Sequence, residues 1–475
     1  MNFTSSEFIL FFAVIIGIGK CLRDLKWLLL AASLAFYLSW SVPCLLLILF
    51  TSLSDYAITQ KMNHTSDAGA RRWLLVMSMV FNLGLLGFFK YANFFLQNFG
   101  AALGVLGWHV GPWHYNIILP PAISFYTFAS LSYVLDVYYE RIPACTSARD
   151  YTLFITFFPK LLSGPIVRAR ELLPQFKGRT PATTEDVEVG LAYFMVGAVK
   201  KLVVADQIAP HVNLIFSAPI QYDALTLLLG VLGYTIQIYC DFSGYTDMAI
   251  GCARILGFKF PENFKMPYSS GNITEFWRRW HITLSQWFRD YVFLPLEIAA
   301  RSNPYPMLRV SINMIVTMLL CGLWHGPSWN FIIWGGIHGT ALVTHKVWTS
   351  LNPLAFLKNS KLFRFVWTGF AHGLTLGVVV LSMVFFRALN FSDADVYLHR
   401  LFLWSHSGTR LVSPYILAAL FGVFLVHLLV NKDRNLVEEL PQMSLTSRIL
   451  SFASLLWLLV VFGATDSEAF IYFQF

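Results

Sequence analysis

Apolar runs recur along the whole chain, near residues 8–19, 27–58, 73–97, 116–139, 151–163, 189–207, 223–250, 308–345, 364–386, 413–431 and 449–464, with polar residues gathered in the intervals between them. A hydrocarbon core of ~30 Å takes about 20 helical residues to cross, so the pattern predicts a chain that threads a bilayer many times. Helices are expected because a helix satisfies its own backbone in lipid, whereas a barrel would read as short alternating strands. The predicted fold class is all-α, a polytopic integral membrane protein.

Two runs have the wrong length for a simple span. Residues 151–163 offer only thirteen positions, interrupted by Pro159 and followed by Gly164-Pro165, and lie between two basic loops. That combination predicts a segment that dips into the membrane and returns. Residues 308–345 err the other way, since one straight helix at ~1.5 Å per residue would reach ~57 Å. A break is expected at Gly326-Pro327, with Pro327 in the first turn of a second helix and His325 beside that helix's positive end.

Between residues 274 and 291, Trp277, Trp280, His281, Leu284, Trp287, Phe288 and Tyr291 recur at helical spacing, and Arg278, Arg279, Gln286 and Asp290 take the other faces. This predicts an amphipathic helix at the membrane interface. His281 falls on its apolar stripe, so its ring should turn toward protein or lipid. Taken alone, the arginines read as anchors on lipid phosphates.

Composition agrees with the pattern: 56% of residues are hydrophobic and 13% charged, against about 25% charged in soluble proteins. The net charge of +8 does not point to nucleic acid, because the basic residues sit in short loops rather than one dense tract. Positive-inside sorting accounts for them. It assigns 20–26, 61–72, 141–149, 168–179, 259–309 and 346–364 to the cytoplasm, and 98–118 and 208–222, which hold no Lys or Arg, to the outside. Parity then places both termini and the segment 387–412 outside, although the latter carries Arg387, Arg400 and Arg410. Phe8–Gly19 lacks a charged leader and a cleavage site, so it reads as the first membrane element. The six cysteines are scattered singly, which indicates neither a disulfide framework nor a zinc site. No hydrophilic segment is long enough for a second globular domain.

The candidate chemistry centres on His325, within Cys321-Gly322-Leu323-Trp324-His325-Gly326-Pro327. An ionisable ring at membrane depth is costly and therefore a functional candidate, and desolvation keeps imidazole neutral and able to act as a base. A hydrogen-bonded packing histidine is the competing reading. His338 lies close by in sequence with the same two readings. In the run from Gln237 to Asp247, Asp241 and Asp247 bring carboxylates into an apolar stretch, where they must be paired or line a wet cavity. Asp241 is the candidate for donor or acceptor contact, Asp247 for a hydrogen-bond hub.

Several motifs together resemble one family. Phe158-Pro159-Lys160 with Ser163-Gly164-Pro165, Asp241-Phe242-Ser243-Gly244-Tyr245, Trp277-Arg278-Arg279-Trp280-His281-Ile282, Trp287-Phe288-Arg289-Asp290-Tyr291, Leu323-Trp324-His325-Gly326 and the closing 470–475 run are similar to those of the membrane-bound O-acyltransferases, in their AlgI-like bacterial polysaccharide-acetylating branch. The likeness implies one polytopic domain over 1–475, with its motif-bearing core at about 115–390, built as a helical ring with reentrant and interfacial helices around a tunnel. It implies His325 and His281 as the catalytic pair, His325 as base or acyl relay and His281 orienting or polarising the donor. Arg278, Arg279, Asp241 and Trp324 are the candidates for donor or substrate binding; no metal ligand set is expected.

The resemblance further implies acetyl-CoA as donor, an exopolysaccharide such as alginate or cellulose as final acceptor, and a separate periplasmic acetyltransferase as partner in the bacterial inner membrane. Two alternatives stay open. One is a DltB-like D-alanyl transferase acting on teichoic acid. The other is a transporter or flippase, which often shows paired broken helices in internal repeats; the Gly-Pro breaks at 164 and 326 have no convincing repeat around them.

Overall fold

The computed structural model describes residues 1–22, 24–108, 111, 115–162, 164–178, 180–302, 304–354, 360–465 and 468–471. Ser163, Arg179 and Tyr472–Phe475, which figured in the motifs and loops above, lie outside the described residues. Every regular element among the described residues is helical, apart from an isolated bridge between Tyr222 and Thr409. Six helices there are long and apolar enough to cross a membrane: Val42–His64, Ala68–Val105, Ala224–Ile255, Pro306–His325, Lys361–Arg387 and Leu445–Phe462. Ser6–Gly19, Lys26–Leu38 and Pro414–Leu429 are shorter apolar helices.

The outward-facing residues identify the solvent. On Leu445–Phe462, Leu450, Trp457 and Val460 are all more than half exposed, as are Leu428 and Leu429 on Pro414–Leu429. Continuous apolar surface of this extent is unusual on a soluble monomer and is what lipid requires. Ala224–Ile255 is the opposite case, a 32-residue helix whose apolar window is 78% buried, so protein rather than lipid surrounds it.

The chain divides into two compact units, Met1–Phe194 with Tyr245–Pro261, and Met195–Gly244 with Glu262–Phe475. In the first, the short run 151–163 becomes two helices, Ala148–Thr156 and Phe158–Leu161, of nine and four residues. Neither can cross a bilayer, as its length predicted. Phe157 between them meets the rings of Phe176 and Phe258 at 5.8 and 5.2 Å. The buried Asp55 side chain accepts from Ser78 Oγ (2.6 Å), Asn82 Nδ2 (2.8 Å) and Ser130 Oγ, which satisfies polar oxygens that lipid could not.

In the second unit the run 308–345 breaks where expected, into Pro306–His325 and Trp329–Leu351. Pro327 lies in the connection rather than in the first turn. Ser328 is the N-cap, its Oγ accepting from Asn330 N. His325 therefore ends its own helix at the carbonyl end, and the expected field from a following N-terminus is opposed by that of its own helix. The two helices lie backbone to backbone: a methyl on Gly335 would stand 2.3 Å from the Met318 carbonyl oxygen, and one on Gly322 2.1 Å from that of Phe331. Small residues permit this approach, the usual device for helix contacts where lipid removes the hydrophobic drive.

The 274–291 segment corrects another expectation. Its apolar stripe is buried at Trp277, Trp280, His281, Leu284, Trp287 and Phe288 while Arg278 stays exposed, but it is not one helix. Ile273–Arg279 and Ile282–Phe288 are separated by Trp280 and His281, with His281 in the left-handed region at φ 41°.

Candidate active site

His325 is 3% exposed and enclosed by aromatic rings. Its ring centroid lies 5.0 Å from Trp324, 5.0 Å from Trp334, 5.1 Å from Phe386 and 6.4 Å from Phe331. The glycine-zipped hairpin fixes this placement, because it locks the last turn of Pro306–His325 against the first turns of Trp329–Leu351. Trp324 also meets the His281 ring at 6.1 Å, so one indole touches both histidines that the motifs single out.

His281 is fully buried, with Phe242 edge-on at 4.6 Å. A non-glycine residue at positive φ costs energy that the surroundings must offset. Asn263 does so: its backbone carbonyl accepts from Ile282 N (2.9 Å), and its side-chain oxygen accepts from Thr283 N (3.1 Å) and Thr283 Oγ1 (2.8 Å). The Thr283 amide can only donate, which identifies that Asn263 atom as oxygen. His281 Nδ1, 3.1 Å from the same oxygen, is then the protonated nitrogen. Nε2 is left as a lone pair, buried and with no hydrogen-bond partner among the described residues. Burial pushes the pKa of the ring down to about 3, so it is neutral at physiological pH. A neutral ring with a free Nε2 lone pair can orient a donor or take a proton; it cannot polarise a carbonyl by donating from that nitrogen.

His338, buried on the next helix, meets Trp334 at 4.7 Å and Trp277 at 5.2 Å. Its Nε2 lies 3.0 Å from Ser382 Oγ, whose own proton goes to the Val379 carbonyl at 2.7 Å. His338 Nε2 is thus the donor there, and the ring is held in one tautomer.

The remaining candidates are dispersed. Asp241 lies in a buried ion cluster: Lys201 Nζ is 2.7 Å from both Asp241 and Asp206, and also donates to the Glu468 carbonyl at 2.9 Å. The Ile471 backbone N–H donates to the other Asp241 oxygen at 2.9 Å. Arg279 pairs with Glu275 and Asp433, both at 3.0 Å, and Glu275 also holds Lys432 at 2.6 Å. Arg278 is exposed.

A cavity of about 440 Å³ opens beside this assembly, lined by Trp277, Met318 and Cys321 and, among its polar residues, Thr274, Arg289 and Lys346. Cys321 is one helical turn before His325. The cationic groups at this cavity are Arg289 and Lys346, not the Arg278–Arg279 pair. Arg289 stood within a recognised motif, but its direction depends on the break at His281. Asn263, Phe386 and Lys201 were missed because nothing in their local sequence marks them.

The family model for the MBOAT, membrane-bound O-acyltransferase family matches residues 12–376. The chain is 42% identical over 354 residues to the protein of Azotobacter vinelandii named "Probable alginate O-acetylase AlgI", covering 73% of this chain and 69% of that one. It is 35% identical over 394 residues to the peptidoglycan O-acetyltransferase of Helicobacter pylori, covering 78% and 72%. With the teichoic acid D-alanyltransferase of Bacillus subtilis it shares 31% over 254 residues, 51% of this chain and 64% of that one. An all-helical fold with membrane-spanning helices and a family match over most of its length make this chain a member of the membrane-bound O-acyltransferase family, a multi-pass enzyme of the bacterial inner membrane.

Proposed function

We propose that this O-acetyltransferase takes acetyl from a cytoplasmic thioester, acetyl-CoA, and passes it across the inner membrane for O-acetylation of an exopolysaccharide, with a separate periplasmic acetyltransferase completing delivery to the polymer. The observation that carries this reading is the pair His325 and His281, both against the Trp324 ring, beside a cavity that runs to Cys321 and carries Arg289 and Lys346. The charge pattern assigns both of these cations to cytoplasmic loops or their borders, where they would face an anionic donor.

His325 acts as base or acyl relay. In the direct form, an acceptor hydroxyl gives its proton to imidazole as its oxygen attacks the thioester carbon, and the thiolate leaves with that proton. His281 orients the donor and is held by Asn263 in the tautomer that presents a lone pair. Greater identity to acetyl-transferring relatives, over more of the chain, favours acetyl above D-alanyl transfer.

The test is a deletion strain complemented with wild type or His325→Ala, followed by composition analysis of the secreted polymer. Wild type should restore O-acetyl groups. His325→Ala should accumulate in the membrane at wild-type level and restore none, a loss of at least ~10²-fold as for removal of a general base. Normal acetylation by His325→Ala would refute the assignment, and restoration of D-alanyl esters by wild type would replace the acyl group.

A further inference from the structure

Acyl transfer at His325 needs a hydrogen-bond donor for the oxygen on which charge develops, and the histidine pair does not supply it. His281 offers only the Nε2 lone pair, because its single N–H is spent on Asn263. His325 is needed for the hydroxyl proton. A donor must come from elsewhere in the same aromatic enclosure.

Trp334 is the largest fully buried side chain of the described residues, 1% exposed, and its ring meets His325 edge to face at 5.0 Å with the planes 84° apart. An indole nitrogen is a donor and never an acceptor. Trp334 Nε1 has no hydrogen-bond partner among the described residues. A buried N–H left unmatched carries the full penalty of its lost hydration, and such a group in a folded protein calls for an explanation. The neighbouring Trp277 Nε1 is likewise buried and unmatched; its ring lies 5.8 Å from that of Trp334, and Trp277 lines the 440 Å³ cavity. The two indoles therefore connect the cavity to the His325 ring by direct contact.

We propose that the Trp334 indole N–H is the oxyanion donor of the reaction, a catalytic residue beyond the histidine pair. The proposal rests on the acyl-transfer reading above. As the acceptor oxygen bonds to the thioester carbon, the carbonyl π pair moves onto its oxygen and Trp334 N–H donates to that oxygen; the acceptor's proton goes to His325. Collapse restores the C=O bond, breaks the C–S bond, and returns the proton to the departing thiolate. No oxidant, metal or further reactant enters. The N–H pairs with an oxygen that is anionic only in the transition state and adduct, so it favours that state over bound substrate, as differential binding requires.

The experiment replaces Trp334 with 3-benzothienylalanine, in which sulfur stands for the N–H while ring shape is kept, alongside Trp334→Phe. Transfer of label from [14C]acetyl-CoA to base-labile polymer ester is followed in permeabilised cells of the producing strain, which keep the periplasmic acetyltransferase and the polymer, with thermal unfolding of the purified protein. The expected result for the sulfur isostere is a fall in kcat of about 10²–10³-fold, the usual effect of removing one oxyanion donor, with KM changed by less than about threefold. Loss of packing alone would show in Trp334→Phe as a lowered melting temperature and leave the isostere active. An isostere with kcat within about twofold of wild type overturns the proposal. Absence of transfer by the wild type defeats the acetyl-CoA reading itself, and the proposal with it.

Discussion

Phe331 occupies the space that any side chain at Gly326 would need: a methyl there would stand 2.3 Å from Phe331 Cε2 and 2.6 Å from Cδ2. Phe331 in turn meets His325 at 6.4 Å and Phe386 at 4.9 Å. The backbone at Gly326 is extended, so the constraint is one of volume. Gly326→Val should push Phe331 into the enclosure, turn the His325 ring, and lower turnover by at least ~10-fold, since misplacement of ~1 Å can cost 10²-fold. Overpacking of this kind costs about 1–3 kcal/mol, so thermal unfolding should show a modest loss. Gly326→Val with wild-type polymer acetylation would show that the Phe331 ring can yield without disturbing the histidine.

His281 makes stability depend on pH in a defined direction. Its folded pKa of about 3 lies below the ~6.5 of an unfolded histidine, so the unfolded chain takes up the proton first as pH falls. The contribution is complete above about pH 6.5 and is lost progressively toward about pH 3. His281→Asn removes the titration and retains a residue that tolerates the left-handed turn. Melting curves of wild type should fall more steeply than those of the variant between about pH 6 and 4.5; parallel curves would mean that the ring is hydrated.

Asn263 should be as sensitive as the histidine it holds. Asn263→Ala leaves the Thr283 amide and His281 Nδ1 without their shared acceptor, which should cost about 1–3 kcal/mol and most of the activity. Asn263→Asp restores an acceptor at the same point and should recover stability well above the alanine variant. Equal behaviour of the two would show that the side-chain oxygen does not fix the turn.

Electrostatic recruitment of the donor should follow the cavity. Charge reversal at Arg289 or Lys346, which line it, should raise the apparent KM for acetyl-CoA several-fold with a smaller effect on kcat, and more at low salt. Reversal at Arg278, exposed and outside the lining, should shift KM less. The opposite ranking in vesicle assays would return the donor site to the Arg278–Arg279 pair.

What could be read from the sequence follows from the range of the forces involved. The break at residue 326 was legible because a 38-residue apolar run cannot fit a bilayer, and burial of His281 because it lies on a periodic stripe. The break at His281 was not: the apolar period continues through it, and its cause, Asn263, acts from 18 residues upstream. The directions of the arginines were hidden for the same reason. Arg279 is fixed by Asp433, 154 positions downstream, and no local pattern announces that pairing. For Asp241 the sequence left pairing and a wet cavity both open, because Lys201, which holds it, lies on a different helical segment.

The Pro306–His325 helix has 20 residues, which at ~1.5 Å each is about 30 Å, the thickness of the hydrocarbon core. The basic loop before Pro306 assigns its start to the cytoplasm, and His325 is its last residue. A proton reaching His325 from the cytoplasm would thus cross most of the transmembrane voltage, worth about 2.3 kcal/mol per charge per 100 mV. One reaching it from the outside would cross little. Rates in energised and uncoupled vesicles distinguish the two: insensitivity to voltage means that the imidazole exchanges protons with the outer face.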